Sequence, residues 1–270
     1  MDKISNFVEL KKSSKIWAIG SIHSNLNSFN SIKKFIINNF NYDDKLIFLG
    51  NVIGLGDFSK ETLDSVIDLR FNLMAKFKLK PESIVFLRGA QEEMFTKLLQ
   101  LQLAPNPIEI IEWMFDHGVN KTLNSYGYSE IEAKNIAASG TINISKWTAT
   151  LNKTLQLSPG HTQYFLNLKH AAYSQTKKIL FVNRGVDITR PLSAQNDCFW
   201  WGFQNFSKIQ EPYKSFLRIV RGYESEHLNQ IEISSENVVC TLFKQPLTNS
   251  RVMCGIFGEN GEIFDLFENN

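Results

Sequence analysis

A chain of 270 residues with 43% apolar side chains and 21 phenylalanines can bury a sizeable core, and α/β folds of this length often form one unit. Its formal net charge of +2 is too near balance to support nucleic acid or an anionic membrane as a partner. Cys198, Cys240 and Cys254 are widely spaced and form no CxxC pair, so neither a disulfide framework nor a zinc knuckle is indicated, and a reducing cytosol is the expected location.

The chain begins with a lysine-rich segment (Lys3, Lys11, Lys12, Lys15) that reads as a solvated arm. The only apolar stretch near it, IWAIG (16–20), is far shorter than a signal h-region or a membrane span. Five apolar runs then end at or beside a glycine: KIWAIG (15–20), KLIFLG (45–50), SIVFLRG (83–89), KILFVNRG (178–185) and FLRIVRG (216–222). Their β-branched and aromatic content, without polar alternation, predicts strands buried on both faces. Helical patterns follow the first three, over 28–39, over 60–76 with Ser59 as N-cap, and over 92–103, where Pro105 helps stop the helix. From 107 to 168 helical segments (108–118, 131–138, 144–157, 162–168) replace the alternation, which predicts a helical insertion of about 105–170 over one end of the sheet. After Gln230, the runs IEIS, NVVCTLFK, VMCGIFG and EIFDLF predict a final antiparallel portion. Strand alternating with helix makes this a layered α/β protein of mixed sheets flanked by helices, one domain over 1–270.

In open α/β sheets ligands bind beyond the carboxyl ends of the strands. Here those ends read GSIHSN (20–25), GNVIGLG (50–56), RGAQEE (88–93), NRGVD (183–187) and RGYES (221–225). The second of these raises a dinucleotide reading, but its glycines are spaced GxxxGxG rather than GxGxxG and the helix starts too late to receive phosphate. In order and spacing, the five ends resemble the motifs GDxHG, GDxxDRG, RGNHE, HAG and GH of the calcineurin-like metallophosphoesterases, in particular bacterial members of the serine/threonine phosphatase branch. GVDITRPLSAQ (185–195) and FWWG (199–202) resemble two further segments of that branch, GVDPxRPLxxQ and WG, and the similarity spans nearly the whole chain.

The resemblance implies a metallophosphoesterase-type fold and, in active members, two divalent metals such as manganese about 4 Å apart that activate a water. At the matching ligand positions this chain has Ser21, His23, Asn51, Ala90, Asn183 and Tyr223, of which only His23 is a retained ligand type. The general acid of the family corresponds to Gln91, its aspartate partner to Gly54 and the adjacent arginine to Leu55. Hard divalent ions want carboxylates, and none of these positions offers one, although Asn51 and Asn183 could each lend a carbonyl oxygen. No metal cofactor is therefore expected, and a catalytically inactive, pseudophosphatase-type protein with an unknown protein partner or phosphorylated ligand is the leading reading. The alternative is an active phosphoesterase whose site is rebuilt from acids such as Asp57, Glu92, Glu93 or Asp187.

Arg88 matches the phosphate-contacting arginine of the family, and Arg184 and Arg221 stand at two more strand ends, so a residual anion pocket is one reading of the three. The other is pairing with Glu92, Glu93, Asp187 or Glu224. His23 reads as a hydrogen-bonded strand-end imidazole or a lone metal ligand, and His117 as a helix-end cation; His161, His170 and His227 have no partner visible in sequence. Ser21 as a nucleophile lacks a base. The aromatics Phe199, Trp200, Trp201, Phe203 and Phe206 are expected in the core, or in part on an exposed patch for a partner, and the same choice applies to LLQLQL (98–103) and IIEWMF (110–115).

Overall fold

Strand β2 (Ile16–Ile19) shows how the chain is layered. Its four apolar residues are all buried, with Trp17 and Ile19 facing one core and Ile16 and Ala18 facing another. A strand with no polar face needs cover on both sides, and each fully buried aliphatic side chain contributes about 1.5–3 kcal/mol relative to exposure. The structure, a computed structural model, describes residues 6–195, 197–202, 209–223, 238–243 and 251–268.

Two five-stranded sheets pack face to face. In the first, β2 pairs in parallel with β3 (Lys45–Phe48), which pairs in parallel with β4 (Ile84–Phe86). The other edge of β2 takes β9 (Met253–Phe257) antiparallel, followed by β10 (Ile263–Glu268). The second sheet runs in the order β1 (Phe7–Glu9), β5 (Ala171–Tyr173), β6 (Ile179–Val182), β7 (Arg218–Arg221) and β8 (Val239–Thr241). Leu49, Val85, Phe181, Val220, Cys240 and Phe257 belong to the core between the sheets. Helices α1 (Leu26–Asn39), α2 (Ser59–Phe77) and α3 (Ala90–Leu98) share a core with Trp17, Ile19 and Phe48 of the first sheet, while α9 (Cys198–Trp201) packs Phe199 and Trp200 with Leu180 and Val182 of the second. This is the expected layered α/β arrangement. Among the described residues no helix is long and apolar enough to cross a membrane.

Between β4 and β5, after α3, the chain forms α4 (Pro107–Asp116), α5 (Val119–Ser125), α6 (Glu130–Ala137), α7 (Thr141–Leu157) and α8 (His161–Leu166). Gly118, at φ 91°, ends α4 in the left-handed region, and His117 Nδ1 lies 2.7 Å from the Trp113 carbonyl, so His117 is a helix-end residue.

Three expectations are corrected. The N-terminal segment is not all solvated arm: residues 7–9 form β1, in register with Ala171–Tyr173, because Phe7 packs edge-on against Phe199 at 5.8 Å. Lys3 lies outside the described residues. The final portion is not all antiparallel, since β8 pairs in parallel with β7 and only β9 and β10 run antiparallel; IEIS lies outside the described residues. Ser59 is not an N-cap. Phe58 occupies that position without a side-chain bond, and the buried Ser59 hydroxyl instead meets Ser24 Oγ at 2.7 Å and Thr122 Oγ1 at 3.0 Å and accepts from Gly54 N at 3.2 Å.

His161 joins the insertion to α2. Its Nε2 donates to Asp64 Oδ1 at 2.8 Å, which leaves Nδ1 to accept from the Tyr126 hydroxyl at 2.6 Å. The ring is fully buried, and burial lowers its pKa against the opposing pull of Asp64. His161→Ala, which opens a cavity and strands the buried Tyr126 hydroxyl, is expected to cost on the order of 3 kcal/mol in urea denaturation, and the half-exposed Asp64→Asn only a few tenths.

Candidate functional site

The loops after β2, β3, β4, β6 and β7 meet at one end of the sheet pair, and a single carboxylate organises the backbones of two of them, those after β3 and β4. Glu92, fully buried in the first turn of α3, accepts from Asn51 N (2.8 Å) and Gly89 N (3.0 Å) on Oε2. On Oε1 it accepts from Val52 N (2.7 Å), Ile53 N (3.5 Å) and the Tyr164 hydroxyl (3.1 Å). Burial raises its pKa, and the bonds from Asn51 and Val52 pull it back.

Around that anchor lie the sequence-derived site residues. Asn51, at φ 53°, donates from Nδ2 to Ser21 Oγ at 3.3 Å and accepts the Gln91 backbone N–H on Oδ1 at 3.1 Å. The Asn51 carbonyl oxygen, expected as a possible metal donor, is therefore already engaged, and an NH2 group meets Ser21. Asn183 is the reverse: its Nδ2 donates to the Leu49 carbonyl at 2.6 Å, leaving a buried Oδ1 with no partner among the described residues. The Asn183 carbonyl accepts from the Gly222 and Tyr223 N–H groups at 2.8 and 3.1 Å, and Ser21 N donates to the Gly222 carbonyl at 2.9 Å. His23 N donates to the Asn51 carbonyl at 2.8 Å. Ser21, His23, Asn51, Gln91, Asn183 and Tyr223 are thus brought together; Ala90 opens α3 beside them.

His23 is 95% buried, and among the described residues neither ring nitrogen has a hydrogen-bond partner. Its neighbours are aromatic edges, Tyr223 at 5.0 Å and Phe243 at 6.0 Å. Of the two expectations for this residue, the hydrogen-bonded imidazole is not found; the ring is a packing element, and burial lowers its pKa to about 3. Gln91 Nε2 donates to the His117 carbonyl at 2.9 Å and ties α3 to the end of α4. Gly54 sits at φ 87°, and a β-carbon there would collide with Gln91 Oε1.

Each of the three arginines has a neighbour of its own. Arg88 Nη1 bonds Glu93 Oε2 at 2.6 Å, one of the acid partners expected from sequence, and its guanidinium lies 5.8 Å from the Trp200 ring. Arg184 sits 5.7 Å from the Tyr223 ring, and the buried Arg221 donates from Nε to Thr241 Oγ1 at 2.7 Å. The acids named for a rebuilt site are also engaged: Asp57 with Lys121 at 2.7 Å, Glu93 with Arg88, Asp187 with Arg190 at 3.0 Å, and Glu92 with its five donors. Glu224, His227, Phe203 and Phe206 lie outside the described residues. Among the described residues no group of three or more His, Cys, Asp or Glu side chains is gathered to hold a metal ion.

Sequence reasoning missed the anchoring role of Glu92, although a Glu at the third helical position after Gly89 is a helix-start signal. His23, Ser24, Asn51 and Leu55 all have positive φ between 48° and 62°. Such strain costs on the order of 1 kcal/mol per residue and clusters at ligand-holding sites.

No protein-family model matches the chain, and no curated protein matches its sequence. Solved structures do match. One described as a diadenosine tetraphosphatase superposes at TM-score 0.54 and 14% identity, covering 98% of this chain and 99% of its own. A protein serine/threonine phosphatase from Saccharomyces cerevisiae superposes at 0.50 and 14%, covering 98% and 83%. A cold-active protein-tyrosine phosphatase of a psychrophilic Shewanella superposes at 0.52 and 10%, covering 98% and 82%. At these identities the similarity is one of fold.

Two predictions test the geometry. Glu92→Gln places an NH2 group against backbone N–H donors and is expected to destabilise the chain by on the order of 3 kcal/mol, read by urea denaturation. His23 has a folded-state pKa below the ordinary 6.5, so between those values the folded chain binds fewer protons than the unfolded chain. Its contribution is intact above about pH 6.5 and lost as pH falls toward 3, at up to about 1.4 kcal/mol per pH unit. Melting curves from pH 7 to pH 4 are expected to show a shallower acid slope for His23→Phe than for the parent chain.

Proposed function

We infer that this chain, which has the fold of the calcineurin-like metallophosphoesterases, is a hydrolytically silent member of that fold that acts by binding, as a regulatory or structural component of a complex or as a sensor of a phosphorylated ligand. The observation that carries this reading is the donor set where the strand ends meet. Two divalent ions bring four positive charges into a buried space and need negative ligands to offset their mutual repulsion. The side chains present are a neutral imidazole edged by aromatic rings, a hydroxyl and two amides, one of which has its oxygen already engaged. The nearby carboxylate, Glu92, turns both oxygens to backbone N–H groups. These residues do not fit a two-metal centre.

Proton transfer is unsupported for a separate reason. Gln91 is an amide that neither gives nor takes a proton near neutral pH, and its side chain is committed to the His117 carbonyl. An active site rebuilt from Asp57, Glu93 or Asp187 would first have to break the ion pairs with Lys121, Arg88 and Arg190. Against a phosphate pocket of three arginine forks, Arg88 is held by Glu93 and Arg221 bonds Thr241.

Elemental analysis of the purified chain, followed by an aryl phosphatase assay with added manganese, tests the reading. The expected result is metal well below one ion per chain and turnover no faster than a buffer blank. Two ions per chain together with manganese-dependent turnover would overturn it.

A further inference from the structure

Helix α4 carries a face that core packing does not use. Its inner side buries Ile111, Met114 and Phe115, as an amphipathic helix should. Its outer side places Glu109, Glu112, Trp113 and Asp116 at i, i+3, i+4 and i+7, so that three carboxylates surround one indole, with Ile108 beside them. Trp113 is 45% exposed, an unusual state for the side chain with the most apolar area to lose from water. It is nevertheless held in place: its ring lies 4.4 Å from His117 and meets Trp201 of α9 edge-on at 5.8 Å. The insertion and the body of the protein thus both support the same exposed indole.

The charges around it are uncommitted. Among the described residues, Glu109, Glu112 and Asp116 make no ion pair within 4.0 Å, whereas Asp57, Asp68, Glu93 and Glu130 all hold a lysine or arginine. The field of the face already draws an ammonium group. Lys134 of α6, bonded to Glu130 at 2.8 Å, has its pKa raised by Glu130 first and then by Glu112 and Asp116. An ordered, partly exposed indole framed by unpaired carboxylates complements a guanidinium, which is planar enough to stack on the ring and presents donors to the acids.

We propose that the Trp113 face of α4 docks a basic segment of a partner protein, with an arginine stacked on the indole and neighbouring basic side chains paired with Glu109, Glu112 and Asp116. This gives a partner chemistry to the binding role inferred above and rests on it. The two remain separable, because none of these four side chains belongs to the centre at Ser21, Asn51 and Asn183. Aromatic anchors ringed by charge are where interface energy concentrates, while the rim charges mainly set attraction and its salt dependence.

Calorimetric titration of the full chain at low salt with an alternating arginine–alanine peptide of about ten residues tests the proposal, with a glutamate–alanine peptide of equal length as comparator. Saturable binding of the basic peptide alone is expected. Trp113→Ala and the triple variant E109Q/E112Q/D116N should each weaken it by roughly tenfold or more. The control triple E9Q/D43N/D265N, which removes the same charge from exposed positions elsewhere, should leave it nearly unchanged. The triple variant alters only exposed side chains, so the test survives a fold defect in Trp113→Ala. No binding, equal binding of the acidic peptide, or equal weakening by the two triple variants would overturn the proposal. Phosphatase turnover, whether present or absent, bears only on the centre.

Discussion

The arrangement of the strand ends depends on one buried anion. Glu92 offers two oxygens, and the chain brings five donors to them: four backbone N–H groups from the turns after β3 and β4, and the Tyr164 hydroxyl from the insertion. Removing an ionised carboxylate from water is costly unless such bonds replace hydration. Here they also hold Asn51 in a left-handed conformation and so set the line from Ser21 through Asn51 to Gln91. Every one of these five donors is an uncharged group of the chain. The strained loops are thus tied to the body of the chain through a carboxylate.

The layered fold was legible because its central strands are apolar throughout. Runs such as KIWAIG and KILFVNRG have too few polar residues for a half-exposed strand, and the structure buries both faces of each. Two of the three-residue strands were not legible. β1 and β5 are too short to show periodicity, and β1 is hidden in a lysine-rich segment, so only its pairing with Ala171–Tyr173 reveals it. The direction of β8 was equally inaccessible, since the residues of a strand do not encode which neighbour it joins. Helix α5, with the polar sequence VNKTLNS, offers almost no apolar stripe and is fixed by packing of Val119 and Leu123.

At the candidate site, residue identity was legible and bonding was not. That Ser21, His23, Asn51, Asn183 and Tyr223 carry no carboxylate can be read from letters alone. Which end of Asn51 faces Ser21 depends on Gln91 N, 40 positions away, and the partner that fixes the amide of Asn183 is the Leu49 carbonyl, 134 positions away. Similarly, His161 shows no partner in sequence because Tyr126 and Asp64 lie 35 and 97 residues distant. Arg88 and Glu93 are five residues apart, close enough for their pairing to be anticipated.

The residues at the strand ends also depend on one another. Gln91 reaches across Gly54 to the His117 carbonyl, and its path is open only because residue 54 has no side chain and takes a positive φ. A carboxylate at position 54 would strike Gln91, and shortening Gln91 would leave the end of α4 without its link to α3. Tyr223 behaves likewise: its ring packs on His23 and Phe243 at 5.0 and 4.9 Å, occupying space that an imidazole would leave open. These residues are fitted to one another, so an ionic side chain at position 54 meets a steric penalty from Gln91. The centre is therefore a repacked interior with its own set of contacts, held in shape by Glu92 from behind and by aromatic edges in front.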